Sequence, residues 1–161
     1  MRTNNVNRKL VRVILFVGVI LTMMSCKKDQ SVDPTAQLIT PFTGITHTDS
    51  TSAIVGSVDS ADWKPISVVG MQFPGEVGAY PNPCHDIFSL EWIIRSKDSV
   101  LITLNDSPQH SIVTIFTQRL DSGAYAIRKS LAGYQPAIYR LYFKIVRPDS
   151  TYVTYGDIQV K

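Results

Sequence analysis

Between Phe88 and Val160 apolar residues recur at every second position, and this period restricts the fold more than any other feature of the chain. Phe88, Leu90, Trp92 and Ile94 fall on one side of an extended segment, with Ser89 and Glu91 on the other. Successive side chains of a strand point to opposite faces, so the run reads as a half-buried β-strand and not as a helix. Arg95-Ser-Lys-Asp-Ser99 is a turn, Val100, Ile102 and Leu104 repeat the pattern, and Asn105-Asp-Ser-Pro108 ends it. Ser111 to Thr117 is a third strand, too uniformly apolar and β-branched for its inner face to be chosen. Asp121-Ser-Gly123 punctuates before a strand over Tyr125 to Arg128. Tyr139, Leu141, Phe143 and Ile145 then alternate with Arg140, Tyr142 and Lys144, and Arg147-Pro-Asp-Ser150 turns into Thr151 to Tyr155. Ile158-Gln-Val160 closes the last strand, and Val68 to Phe73 adds one at the front. Six or seven short strands with regular turn signals and no amphipathic helix predict an all-β chain folded as an antiparallel sandwich.

The chain has 161 residues, which suits one domain with an appendage. Thirteen of its 15 aromatic residues lie from Trp63 onward, and that half of the chain holds the core. The formal charge is +3, but Arg2, Arg8, Lys9 and Arg12 sit in the first 25 residues, which contain no acid. Without them 12 bases face 13 acids, and the domain has no electrostatic footprint for nucleic acid.

Those four bases introduce an export signal. A basic stretch to Arg12 leads into the apolar run Val13 to Met24, which is too short to span a membrane, where about 20 apolar residues are needed. Ser25-Cys26 at its end resembles a lipobox, the processing site of bacterial lipoproteins. The resemblance implies cleavage after Ser25, with residues 1–25 the signal peptide, and acylation of Cys26. Lys27 follows in place of Asp, which favours the outer membrane over the inner; the leaflet stays open. Ser, Thr, Asp and Pro make up 13 of the 22 residues from Ser31 to Ser52, so 26–52 reads as a flexible tether and 53–161 as the domain. Such a tether would hold the domain on the order of 25 Å from the lipid. In Gly56-Ser-Val-Asp59-Ser-Ala-Asp62-Trp63 the aspartates read as turn formers and Trp63 as an anchor that docks the end of the tether.

A second resemblance covers Ala79 to Lys161. Tyr80-Pro81-Asn82-Pro83 before a strand, Leu120-Asp-Ser-Gly123-Ala-Tyr125, Ile138-Tyr139-Arg140-Leu141 and a terminal Val160-Lys161 are similar to the C-terminal sorting domain of type IX secretion substrates. That family implies an immunoglobulin-like sandwich, passage across the outer membrane and removal of the domain afterwards. Family members carry it behind a large cargo and an ordinary signal peptide, whereas here a short tether and a lipobox precede it. The expectation is therefore a non-enzymatic, monomeric, lipid-anchored envelope protein whose sandwich is an interaction or structural module. Its partners would be the membrane, through the N-terminal lipid, and another envelope protein or the secretion machinery. The alternative is a secretion substrate or accessory whose C-terminal domain is a sorting signal.

The sequence holds no Gly-x-Ser-x-Gly elbow, phosphate-cradling glycine loop or His-Glu-x-x-His, and no cofactor or metal is expected. His47, His85 and His110 are scattered over unlike segments. With Cys26 acylated, Cys84 has no disulfide partner; it reads as a small buried hydrophobe, because His85 beside it on an extended segment points the other way. Asp49-Ser50-Thr51, Asp59-Ser60-Ala61, Asp98-Ser99-Val100 and Asp149-Ser150-Thr151 resemble the O-glycosylation acceptor of bacteria that use type IX secretion, which would make Ser50, Ser60, Ser99 and Ser150 modification sites; as turn sequences they are equally ordinary.

Overall fold

A computed structural model describes residues 40–42 and 44–161; the signal segment, Cys26 and the tether up to residue 39 lie outside the described residues. Seven strands follow in order: β1 (Ala79–Tyr80), β2 (Ile87–Ile94), β3 (Asp98–Ser107), β4 (His110–Leu120), β5 (Gly123–Ser130), β6 (Ile138–Arg147) and β7 (Ser150–Gln159). They form a three-stranded sheet β1-β2-β5 and a four-stranded sheet β4-β3-β6-β7, with every strand pair antiparallel. The chain therefore crosses between sheets after β2, β4 and β5, as in an immunoglobulin-like sandwich. At the start of β6 the Tyr139 hydroxyl donates to the carbonyl of Gln135 at 2.8 Å, the tyrosine corner of such folds.

The alternation in β2 and β3 is realised as read. Phe88, Leu90, Trp92 and Ile94 are buried, facing Val100, Ile102 and Leu104 of β3 and Leu141, Phe143 and Ile145 of β6. The Trp92 ring stands edge-on to Phe143 and to Phe116 and is stacked with Tyr125. Each such side chain contributes roughly 1.5 to 3 kcal/mol by leaving water.

Elsewhere the structure corrects the reading. Val68 to Phe73 is not a strand: Ser67–Val69 is a 3-10 turn, Gly70 reverses the chain at φ 66°, and only single bridges tie Met71 to Ile66 and Gln72 to Ile93. Thr151 to Val160 does not break after Tyr155; β7 runs unbroken to Gln159. The undecided inner face of Ser111 to Thr117 has a physical cause, since β4 shifts register against β3 at three places and so does not keep one period. Most consequentially, residues 44–52 are not free tether. Ile45, Thr46 and Thr48 are buried, and Thr48 bridges Ile54 on one side and Asn82 on the other, so a domain boundary at residue 53 cuts through a paired hairpin.

Candidate functional site

The outer flank of β7 is where the chain departs most from a bare sandwich. An edge strand presents a row of unpaired backbone groups, and here residues 62–64 and 82–84 cover the C-terminal half of that row, from Thr154 to Gln159. The Trp63 amide donates to the Tyr155 carbonyl at 2.8 Å, and the Thr154 hydroxyl donates to the Lys64 carbonyl at 2.7 Å. The Asp157 amide donates to the Asp62 carboxyl at 3.0 Å. Asn82 then replaces a strand with its side chain: Nδ2 donates to the Asp157 carbonyl and Oδ1 accepts from the Gln159 amide, both at 2.9 Å. The Cys84 amide donates to the Gln159 carbonyl, and the Lys161 amide donates to the Cys84 carbonyl. Asn82 also exchanges both backbone bonds with Thr48 and donates from Nδ2 to the Thr46 carbonyl. One fully buried amide thus joins the N-terminal hairpin to the last strand. The flanking prolines of Tyr80-Pro81-Asn82-Pro83, both in cis linkage, complete this element.

Trp63 closes the gap between the sheets on the same flank. Its ring meets Phe73 and Phe143 edge-on at 5.4 and 6.3 Å between centroids. It lies on bare backbone: a Cβ at Gly78 or Gly156 would stand 2.4 or 2.3 Å from the indole, so only glycine fits beneath it.

The outward face of β6 and β7 carries a buried ion pair, whose arginine the alternation put on the side away from the core. Arg140 and Asp157 lie opposite each other across the β6–β7 ladder, and the guanidinium grips the carboxylate with Nε to Oδ1 at 2.6 Å and Nη2 to Oδ2 at 2.7 Å. The guanidinium lies between the rings of Tyr155, 3.9 Å away, and Phe42, 4.6 Å away. Its remaining donors hold the carbonyls of Thr40 at 2.6 Å and Pro41 at 3.2 Å. Tyr142, Val153, Tyr155 and Ala61 form a small apolar cluster beside it. Period two identifies which side of a strand a residue occupies; it carries no information about whether that side is later covered.

Burial, and then the charge of Asp157, pushes the Asp62 carboxyl up to about 8, so it keeps its proton at neutral pH. Burial likewise raises Asp157 against the pull of Arg140, while Asp157 holds the Arg140 guanidinium charged despite its burial. At the far end of the sandwich Arg147 makes a similar grip on Asp98, at 2.6 and 2.8 Å, with Ser96 bonded to both. That pair lies in a shallow cleft lined also by Lys97, Ser99, Arg119 and Pro148 and stays partly wet; the Arg147 hydrogen bonds hold the Asp98 carboxyl below its usual value.

The residues singled out in the sequence do not converge. Ser50 and Ser60 are exposed, each after an aspartate whose Oδ1 accepts the amide two residues on, Thr51 at 2.7 Å and Ala61 at 2.8 Å. The aspartates are turn formers there, as read. Ser99 and Ser150 are half-buried, paired with Val146 and Arg147 where β3 and β7 begin. Cys84 is buried and burial pushes its thiol up, away from a reactive thiolate, while His85 turns to the Lys161 carbonyl at 3.2 Å. His110 bonds Asp106 at 2.7 Å, and no three metal-ligating side chains gather among the described residues. Cys26 lies outside the described residues. The fold and this flank define the chain as an immunoglobulin-like sandwich clasped by its own N-terminal segment. No protein-family profile, curated protein or solved structure matches it.

Proposed function

We propose that this chain is a lipoprotein of the outer membrane, acylated at Cys26, whose sandwich works in place as a non-enzymatic interaction module of the envelope. The observation that supports this reading is the clasp. A sorting domain is cut from its cargo just ahead of the resembling region, here near Tyr80, yet Trp63, Val69, Met71, Phe73 and Val77 belong to the core and Thr48 pairs with Asn82. Cutting there would strip the sandwich of its plug and take from the β7 edge the partners that residues 62–64 supply. The remnant would hold too little apolar surface to offset the entropy of folding. A domain built together with residues 44–78 serves better as the mature working part than as a removable signal.

Cys26→Ala is expected to move the protein from the membrane to the soluble fraction. Mass spectrometry of the membrane-bound protein is expected to recover peptides from Ile138 to Lys161 in equal amount with those around Trp63. An N-terminal part found alone in the membrane would reject the module and leave the sorting-signal reading in its place.

A further inference from the structure

We propose that the free edge of β5 accepts an extended, carboxylate-bearing segment of a partner polypeptide as an added strand; this rests on the interaction-module reading and names its contact.

The orientation of the backbone identifies the groups on offer. Glu91 donates its amide to Gly78, and Ile93 exchanges both bonds with Gln72, so these residues face away from β5. In an antiparallel ladder the direction alternates, and Leu90 and Trp92 therefore bond Ile127 and Tyr125, opposite them in register. Ala124, Ala126 and Arg128 are left with amide and carbonyl pointing outward, and among the described residues no strand pairs with that side.

From Gly123 to Ile127 the edge lacks the usual guards, and charge enters only with Arg128 and Lys129 towards its end. Its eight residues keep an unbroken register with β2, whereas β4, the edge of the other sheet on this flank, shifts register three times. It contains no proline, and its outer side chains at 124 and 126 are only methyl groups. Inward, Tyr125 and Ile127 are half-buried, as is Phe116 on β4, so the slot between the sheets is apolar and unplugged. A strand laid on β5 would turn alternate side chains into this slot, as Trp63 does on the opposite flank.

Charge selects the partner. β4 and β5 carry Arg119, Arg128 and Lys129 and no carboxylate, and Asp121 between them is bonded to Lys97 at 2.8 Å. An incoming strand with acidic residues at its polar positions complements this edge; a basic one is repelled.

The full chain, purified from membranes in detergent, is tested by amide hydrogen exchange with a blocked peptide of the same eight-residue length as β5, valine alternating with aspartate, and with its valine–lysine counterpart. The acidic peptide is expected to slow exchange over 123–130 and to bind at least about tenfold more tightly than the lysine peptide. Ala126→Pro is expected to abolish the protection; its amide points outward, so the ladder to β2 survives. Arg128→Glu with Lys129→Glu, which leaves every backbone group in place, is expected to reverse the preference between the peptides. No protection of 123–130 at millimolar peptide, or equal binding of the two peptides, would overturn the proposal. So would slow exchange without peptide that deepens with protein concentration, which would assign the edge to a second copy. If the chain is intact in the membrane and the peptide fails, docking at β5 falls alone; a chain found cut near Tyr80 rejects the module itself.

Discussion

The two flanks of the sandwich solve the same problem in opposite ways. On one side the C-terminal half of β7 is sealed: the Tyr155 carbonyl and the amides and carbonyls of Asp157 and Gln159 are taken up by Asp62, Trp63, Asn82 and Cys84, and an indole fills the gap between the sheets. On the other side β4 and β5 end in water, and Phe116, Tyr125 and Ile127 are left half-buried. The difference lies in where the chain has length to spare. Some twenty residues before Trp63 carry no core strand of their own and can be laid along one edge; β4 and β5 are joined by the two-residue turn Asp121-Ser122, and nothing nearby can reach across. Sealing a flank takes a segment that the fold does not otherwise use.

The contrast breaks most readily at its largest contacts. Trp63→Ala is expected to cost about 3 to 5 kcal/mol in denaturant unfolding, and Tyr125→Ala less than half of that, because the second ring is only partly buried. Equal losses would mean that the flanks are not different in kind. Arg140→Ala is expected to cost roughly 3 to 5 kcal/mol by stranding Asp157 in a dry site. Arg147→Ala, at a partly solvated pair of similar geometry, is expected to cost much less than Arg140→Ala. Asn82→Ala removes three side-chain bonds from the sealed edge, and a loss of about 2 to 3 kcal/mol should appear together with faster amide exchange in Gln159.

Acidity separates the two arginine sites by sign. Asp62 holds its proton in the folded chain up to about pH 8 and releases it near pH 4 when unfolded. Between those values the folded state binds the extra proton, so stability falls as pH rises through the window, by at least on the order of 1 kcal/mol, and Asp62→Asn should flatten that slope. Asp98 is lowered in the folded chain, so its contribution is present above the ordinary carboxylate value and is lost as pH falls below it. Arg147→Ala should blunt that acid limb and leave the slope above it unchanged. The smallest effect belongs to the open flank: Ala126→Lys is expected to shift stability by no more than about 0.5 kcal/mol.

The strands were legible because burial on one face writes itself as a two-residue period, which β2 obeys residue by residue and β3 obeys as far as Ile102. Trp63 was legible as an anchor because a large apolar ring ends a polar segment. The clasp was not, since it is made of single bridges and of side chains bonding backbone; Thr46 and Thr48 read as linker residues, and Asn82 stood out only within Tyr80-Pro81-Asn82-Pro83, with no bonding role. Arg140 misled for a related reason: it stands on the outward side, and Thr40 to Phe42, which cover it, have no pattern of their own. Asp62 offered one signal in hindsight, a carboxylate next to the anchoring tryptophan, but its partner Asp157 lies 95 residues away.

That separation sets a clock. Thr40 is held by a residue 100 positions downstream, Asp62 by one 95 downstream, and Asn82 by one 77 downstream, so the first stretch of the domain to leave a ribosome waits for the last. Contacts of such range form late, because the intervening loop must be closed before they return any energy. A chain still being made has closed none of them: Trp63 has no Gly156 to lie on, and Asn82 has no strand to cap. The latch that seals the finished domain is thus absent while the chain is being made and becomes available only when the last strand arrives, which commits the domain to its folded form at the end.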